Sequence, residues 1–164
     1  MIIGAVKEKK KFENRVSISP DDVKNYVKAG HQVFIEKGAG SLSGFNDKSY
    51  KESGATLTTS KEVFKNSDII LKINCPTPDE SKLIKNNSMV ISQISIQNNQ
   101  DSIKILNSKK ISAFALELVP RITRAQDMDI LSSQANLAGY HAVIDAAQEF
   151  NRVLPLFMTA AGKV

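Results

Sequence analysis

The segment Pro120 to Asp129, PRITRAQDMD, gathers two arginines, a glutamine and two aspartates just ahead of an apolar, helix-like stretch. A plain connection needs one capping side chain and some solvated charge. Here Arg121 and Arg124 offer planar forks of N–H donors, and Gln126 offers an amide that both donates and accepts. Asp127 and Asp129 are carboxylates suited to the positive end of a helix. The set is rich in amide and balanced charge but has no acid or base for proton traffic at neutral pH. It therefore suits hydride transfer between bound carriers, where the carriers supply the chemistry and the protein fixes their orientation. The same residues also fit a helix-capping charge cluster, and Asp127 could fill that role unaided.

Other candidates are fewer. Of 22 basic residues only Arg15, Arg121, Arg124 and Arg152 are arginines, so these four are the ones to examine for two-pronged recognition of carboxylates, phosphates or amides. Lys72 stands in an apolar run just before a strand's carboxyl end, where a lysine either binds an anion or snorkels to the surface. Cys75, before Pro76, reads as a small buried hydrophobe rather than a reactive thiol. His31 follows a helix stop and reads as a helix-end cation, while His141 reads as a packing or hydrogen-bonding residue. A single cysteine excludes an internal disulfide framework, and two distant histidines suggest no metal site. The glycines of EKGAGSLSG are spaced G-x-G-x-x-x-G and lead into FNDKSYKESGAT, too short and broken for the helix of a dinucleotide fingerprint. They read as a glycine turn.

The elements that would position these residues follow from periodicity. MIIGAV is a buried opening strand, SISPDDVKNYVKAGH a helix capped by Ser19, and QVFIE a second strand. A helix capped by Ser60 and the strand DIILKI follow. After CPTPDE come the helix DESKLIKN, the strand MVISQI, the helix DSIKILNSK and the strand ISAFALE. The alternation argues for an α/β fold, a doubly wound and mostly parallel sheet of Rossmann-like or flavodoxin-like type, followed by a long C-terminal helix. The expected organisation is an α/β domain over 1–124, a linking helix over 125–150 and a tail over 151–164. Ligands of such sheets lie beyond the strands' carboxyl ends, here the loops after Val6, Ile73, Ile94 and Glu117. The long helix carries two apolar lines, one through Met128, Leu131, Ala135 and Ala142, the other through Leu137, Tyr140 and Ile144. It should pack on both sides, and Leu154, Leu156, Phe157 and Met158 would extend the apolar surface.

Composition bounds the rest. With 41% hydrophobic and 24% charged residues the chain reads as a soluble globular domain, in a reducing cytoplasmic setting, with no membrane insertion of its own. The net charge of +5 is spread over scattered lysines without interleaved aromatics, which argues against nucleic acid. The densest cluster, KEKKKF, reads as a solvated loop able to attract an anionic cofactor.

Five stretches, ENRVSISP, VFIEKGAG, DIILKINCP, ELVPRITRAQDMDILSSQANLAGYHAVIDAAQEF and MTAAGKV, carry a resemblance along essentially the whole chain. It resembles the N-terminal portion of the alpha subunits of proton-translocating NAD(P) transhydrogenases, a family related to the alanine dehydrogenases. The resemblance implies that Arg121, Asp129 and Ser132 hold the nicotinamide end of NAD(H) and that Gln126 aligns a facing NADP(H) on a partner subunit. It implies a homodimer, the remainder of the alpha subunit and an NADP-binding beta subunit as partners, assembled at the cytoplasmic face of the inner membrane. In that family MTAAGKV leads into a second, NAD-binding domain, so the present chain by itself should bind NAD weakly and be inactive. Alanine dehydrogenases hold pyruvate with an arginine and a lysine matching Arg15 and Lys72 and use a histidine where this chain has Ser95, which disfavours that activity here. The alternative is a non-catalytic module for dimerisation or partner docking.

Overall fold

The computed structural model describes residues 1–152, 158–160 and 162–163. They divide into two compact units, Met1–Val119 and Pro120–Val164.

In the first unit six parallel strands, β1 (Ile2–Ala5), β2 (Gln32–Glu36), β3 (Thr56–Thr58), β4 (Ile69–Asn74), β5 (Met89–Gln93) and β6 (Ser112–Ala115), lie in the order β3-β2-β1-β4-β5-β6. Helices α1 (Pro20–Lys28), α2 (Asp47–Glu52), α3 (Ser60–Asn66), α4 (Pro78–Leu83) and α5 (Gln100–Ser108) connect them. The expected doubly wound α/β sheet is thus present. Neighbouring strand residues serve separate core clusters, as a two-residue repeat requires: Ile70 packs with Val63, Phe64, Val90 and Leu106, and its neighbour Leu71 packs with Val23, Val33, Ile35 and Tyr50. Contact is tightest at Gly4, where a β-carbon would run into the Ser67 hydroxyl and lie 2.7 Å from a Val63 methyl, so only glycine lets α3 and its end lie against β1.

Helix starts are set by short polar motifs. Ser19-Pro20-Asp21-Asp22 and Thr77-Pro78-Asp79-Glu80 both form reciprocal capping boxes with proline in the first turn. α3 is capped by Thr59, not Ser60; Thr59 is the extended residue whose hydroxyl can reach the Glu62 N–H. The stretch read as broken, FNDKSYKESGAT, holds α2 and leads into β3 at its last residue, Thr56, because the Asn46 side chain caps a single short helix before Gly54 turns the chain at φ +95°.

In the second unit the helical turn does not begin at Ala125. Thr123–Met128 is a 3-10 turn, and the α-helix α6 spans Ile130–Glu149 with Asp129 as its cap. α6 has no buried residue: Leu137, Tyr140 and Ile144 of its second apolar line are all exposed, as is Val143 beside them. Met158–Thr159 pairs antiparallel with Gly162–Lys163. The expected apolar patch at Leu154, Leu156 and Phe157 lies outside the described residues. Among the described residues no helix is long and apolar enough to cross a membrane.

Candidate functional site

The strand order reverses between β1 and β4, and a cavity of about 440 Å³ opens at the carboxyl ends of β1, β4 and β5. This is the place where such sheets hold ligands. Glu8, Lys72, Asn74, Gln93, Ser95 and Asn98 are among its lining residues.

Lys72 neither snorkels nor presents a free cation. Its Nζ lies 3.6 Å from Glu8 and 3.4 Å from Glu80, all three side chains being at most 2% exposed. Burial pushes the Glu80 carboxyl up, but the Lys72 ammonium and the Thr77 N–H outweigh it and hold the group below the ordinary glutamate range. Lys9 closes the outer side of Glu80 at 3.3 Å. KEKKKF is therefore not simply a solvated loop: Glu8 is drawn inward because Lys72 and the Ile73 and Asn74 N–H groups satisfy it. Arg15 is turned onto Glu13, with Nε and Nη2 donating to the two carboxylate oxygens at 2.8 and 2.7 Å, and Asn74 Nδ2 donates to the same carboxylate. The Glu13 carboxyl drops to about 2, chiefly through the Arg15 hydrogen bond. Burial pushes the Cys75 thiol up to about 11, as a small buried hydrophobe requires.

Glutamates lace the carboxyl edge of the sheet. Glu36 at the end of β2 accepts the Lys7 N–H at 2.8 Å; Glu8, just beyond β1, accepts the Ile73 N–H of β4 at 2.7 Å. Glu117, just beyond β6, accepts the Ile94 and Ser95 N–H groups at 3.0 and 2.7 Å. Backbone amides of this kind commonly receive a nucleotide's phosphates, but here protein carboxylates already take them. The glycine turn is closed likewise, since the Gly38 N–H donates to Asp47 and Gly40 packs against Tyr50 and Phe45.

The second unit brings three of the singled-out residues together. Asp129 Oδ1 accepts the Ser132 N–H at 3.0 Å and Oδ2 accepts the Ser132 hydroxyl at 2.7 Å, while Arg121 Nε lies 3.6 Å from Oδ2. The hydrogen bonds from Ser132 hold the Asp129 carboxyl below its usual range, with Arg121 adding to them. The cap is thus Asp129 and not Asp127, because the 3-10 turn puts Asp129 at the first residue before the α-helix. Gln126 and Arg124 are exposed on that turn, and the Gln126 side-chain amide has no hydrogen bond among the described residues. On α6, His141 Nδ1 lies 3.0 Å from Asp145, the hydrogen-bonding role expected of it.

Glu8, Glu80 and Glu117 were not singled out from the sequence. Glu80 had a signal in its Thr-Pro-Asp-Glu motif, whereas Glu8 sat inside a lysine run and Glu117 inside an apolar one.

Residues 4–138 match the family described as alanine dehydrogenase/PNT, N-terminal domain. The chain is 43% identical to the NAD(P) transhydrogenase subunit alpha of Haemophilus influenzae, over all of this chain and 32% of that protein. It is 37% identical to an alanine dehydrogenase of Methanococcus maripaludis, over 90% of this chain and 39% of that one. The crystal structure of transhydrogenase from Sinorhizobium meliloti superposes with a TM-score of 0.91 at 43% identity, covering 100% of this chain and 49% of that one. The chain therefore spans less than half the length of these relatives.

Proposed function

This chain belongs to the alanine dehydrogenase/PNT N-terminal domain family, and on that premise we propose that it supplies the nicotinamide-covering segment of a transhydrogenase alpha subunit. The reaction is hydride transfer from NADH to NADP, coupled to proton translocation in the whole enzyme. The observation that carries this reading is the Arg121, Asp129 and Ser132 cluster at the entrance of α6, beside an open Gln126 amide.

When bound, the two nicotinamides exchange the hydride between themselves, so the protein needs no proton donor or acceptor. Asp129 is oriented by two hydrogen bonds from Ser132 and presents a fixed acceptor. Arg121, 65% exposed at its side chain, keeps donors for a carboxamide or ribose oxygen. Gln126 aligns the facing NADP(H) with its free amide. NAD(H) is the cofactor of this chain, and NADP(H) belongs to a beta subunit. The assembly contains a homodimer and the remainder of the alpha subunit, at the cytoplasmic face of the inner membrane. The buried pairing of Lys72 with Glu8 and Glu80 and the serine at 95 weigh against pyruvate chemistry in the crevice.

Titration of the chain with NADH, followed by nicotinamide fluorescence, tests this. Arg121→Ala is expected to weaken binding by about tenfold, as loss of charge-assisted contacts would. In the full subunit supplied with its NADP-binding partner, Gln126→Ala should slow hydride transfer and leave NADH affinity unchanged. Equal NADH affinity in the parent chain, Arg121→Ala and Asp129→Ala overturns the reading. It would favour the second one, an association module without catalytic role, which rests on the exposed Leu137, Tyr140, Val143 and Ile144 of α6.

A further inference from the structure

Glu117 lies three residues before Pro120, where the first unit ends and the proposed nicotinamide segment begins. Its carboxylate spans two consecutive backbone donors, Ile94 N–H on Oε2 at 3.0 Å and Ser95 N–H on Oε1 at 2.7 Å. Ser95 sits in the left-handed region at φ 47°, a conformation that costs a non-glycine residue about 1 kcal/mol or more and persists only when its surroundings hold it. The double acceptance by Glu117 is that hold, and it makes the two amides converge on one anion. Asn99 completes the arrangement from the other side, its Nδ2 donating to the Ile94 carbonyl at 2.9 Å. The β5 loop is thereby clamped at both N–H and C=O.

Other strand-end glutamates do not share this position. Glu36 and Glu8 join β2 to β1 and β1 to β4, well inside the first unit, whereas Glu117 stands on the 3-10 turn Leu116–Leu118 through which the chain leaves it. The carboxylate therefore ties down the root of the departing segment as well as the loop it grips.

We infer that Glu117 is a positioning residue for hydride transfer: by gripping the Ile94 and Ser95 amides it fixes the point from which Arg121, Gln126 and Asp129 are delivered to the cofactor. This rests on the function proposed above. Without the grip the chain beyond Val119 starts from a loose root, and the ordering is charged to cofactor binding. Glutamate is suited to the task because its two oxygens match two adjacent N–H groups. Glutamine would keep one acceptor and set an NH2 against the other N–H, and aspartate is a methylene too short.

The test pairs amide hydrogen exchange with steady-state kinetics on the full alpha subunit and its NADP-binding partner, for Glu117→Gln, Glu117→Ala and Arg121→Ala. Expected in Glu117→Ala is a loss of protection at Ile94 and Ser95 of about tenfold or more, with the Ile73 amide held by Glu8 unchanged. The KM for NADH should rise by about tenfold while kcat at saturating NADH stays within about twofold, a split that plain loss of folded enzyme would not produce. Glu117→Gln should fall between parent and alanine in both readouts. Unchanged protection at Ile94 and Ser95 in Glu117→Ala overturns the inference, and so does lost protection with a parental KM while Arg121→Ala raises it. If Arg121→Ala leaves the KM for NADH unchanged, the functional reading itself fails and takes this inference with it.

Discussion

Ser132 donates twice to Asp129, through its N–H to Oδ1 at 3.0 Å and its hydroxyl to Oδ2 at 2.7 Å. One carboxylate therefore starts α6 and orients the acceptor proposed to meet the cofactor. Because its folded pKa is lowered, the stabilisation it gives is complete above the ordinary value of 3.8 and is lost as pH falls through the lowered one. Asp129→Ala should expose the Ser132 amide to faster exchange and weaken NADH binding together. Fast exchange with unaltered NADH binding would separate the cap from the site.

Lys72 neutralises two carboxylates that have no other buried cation beside them among the described residues. Lys72→Met should cost about 3–5 kcal/mol in urea unfolding, since it leaves Glu8 and Glu80 buried and facing one another. The triple change Lys72→Met, Glu8→Gln, Glu80→Gln should recover most of that loss. A triple variant no more stable than the single one would show that packing, not charge, governs this place.

Glu13 and Arg15 give a pH signature of their own. The carboxyl is lowered from 4.5 to about 2, so its stabilising contribution is complete above 4.5 and disappears as pH falls toward about 2. In Arg15→Ala the carboxyl carbon of Glu13, followed by NMR, should titrate well above about 2, and the acid dependence of stability in that window should flatten. A titration still centred near 2 would assign the shift to Asn74 and the backbone instead.

Gly40 is closed in by Tyr50 and Phe45. A β-carbon there would stand 2.7 Å from the Tyr50 ring edge and hydroxyl and 2.8 Å from the Phe45 β-carbon. Gly40→Ala should therefore destabilise by about 1–3 kcal/mol, read from thermal and urea unfolding. It should also disturb the Tyr50 hydroxyl, which donates to the Ile18 carbonyl at 2.8 Å. A variant as stable as the parent would mean that the turn relaxes without strain.

Much of the sheet was legible because apolar runs and proline-led helix starts are local signals. QVFIE falls on β2 residue for residue, and Ser19-Pro20 opens α1 where its hydroxyl and ring require. β3 was not legible: Thr56–Thr58 is three residues long and only half-buried, so it carries no apolar run. The entrance of α6 was misplaced by about one turn because Ala125 and Met128 continue the helical spacing, while the backbone there winds as a 3-10 turn. In the crevice Lys72 was visible as a charge in an apolar strand. Its partners were not, since Glu8 reaches it from the loop after β1 and Glu80 from the first turn of α4, and no periodicity reports a contact between residues 8, 72 and 80.

Glu80 has one further consequence. The oxygen that accepts the Thr77 N–H at 2.9 Å is also the one 3.4 Å from Lys72, so the start of α4 and the charge of the crevice share a single atom. Inherited change at this position is narrowly channelled. Aspartate shortens the reach to both partners and alanine abolishes both, while glutamine keeps an oxygen for the Thr77 N–H and deletes the charge. Descendants of this sequence can retune the electrostatics of the crevice at that residue by one conservative exchange, and an exchange that leaves no side-chain oxygen there also gives up the reciprocal half of the α4 cap.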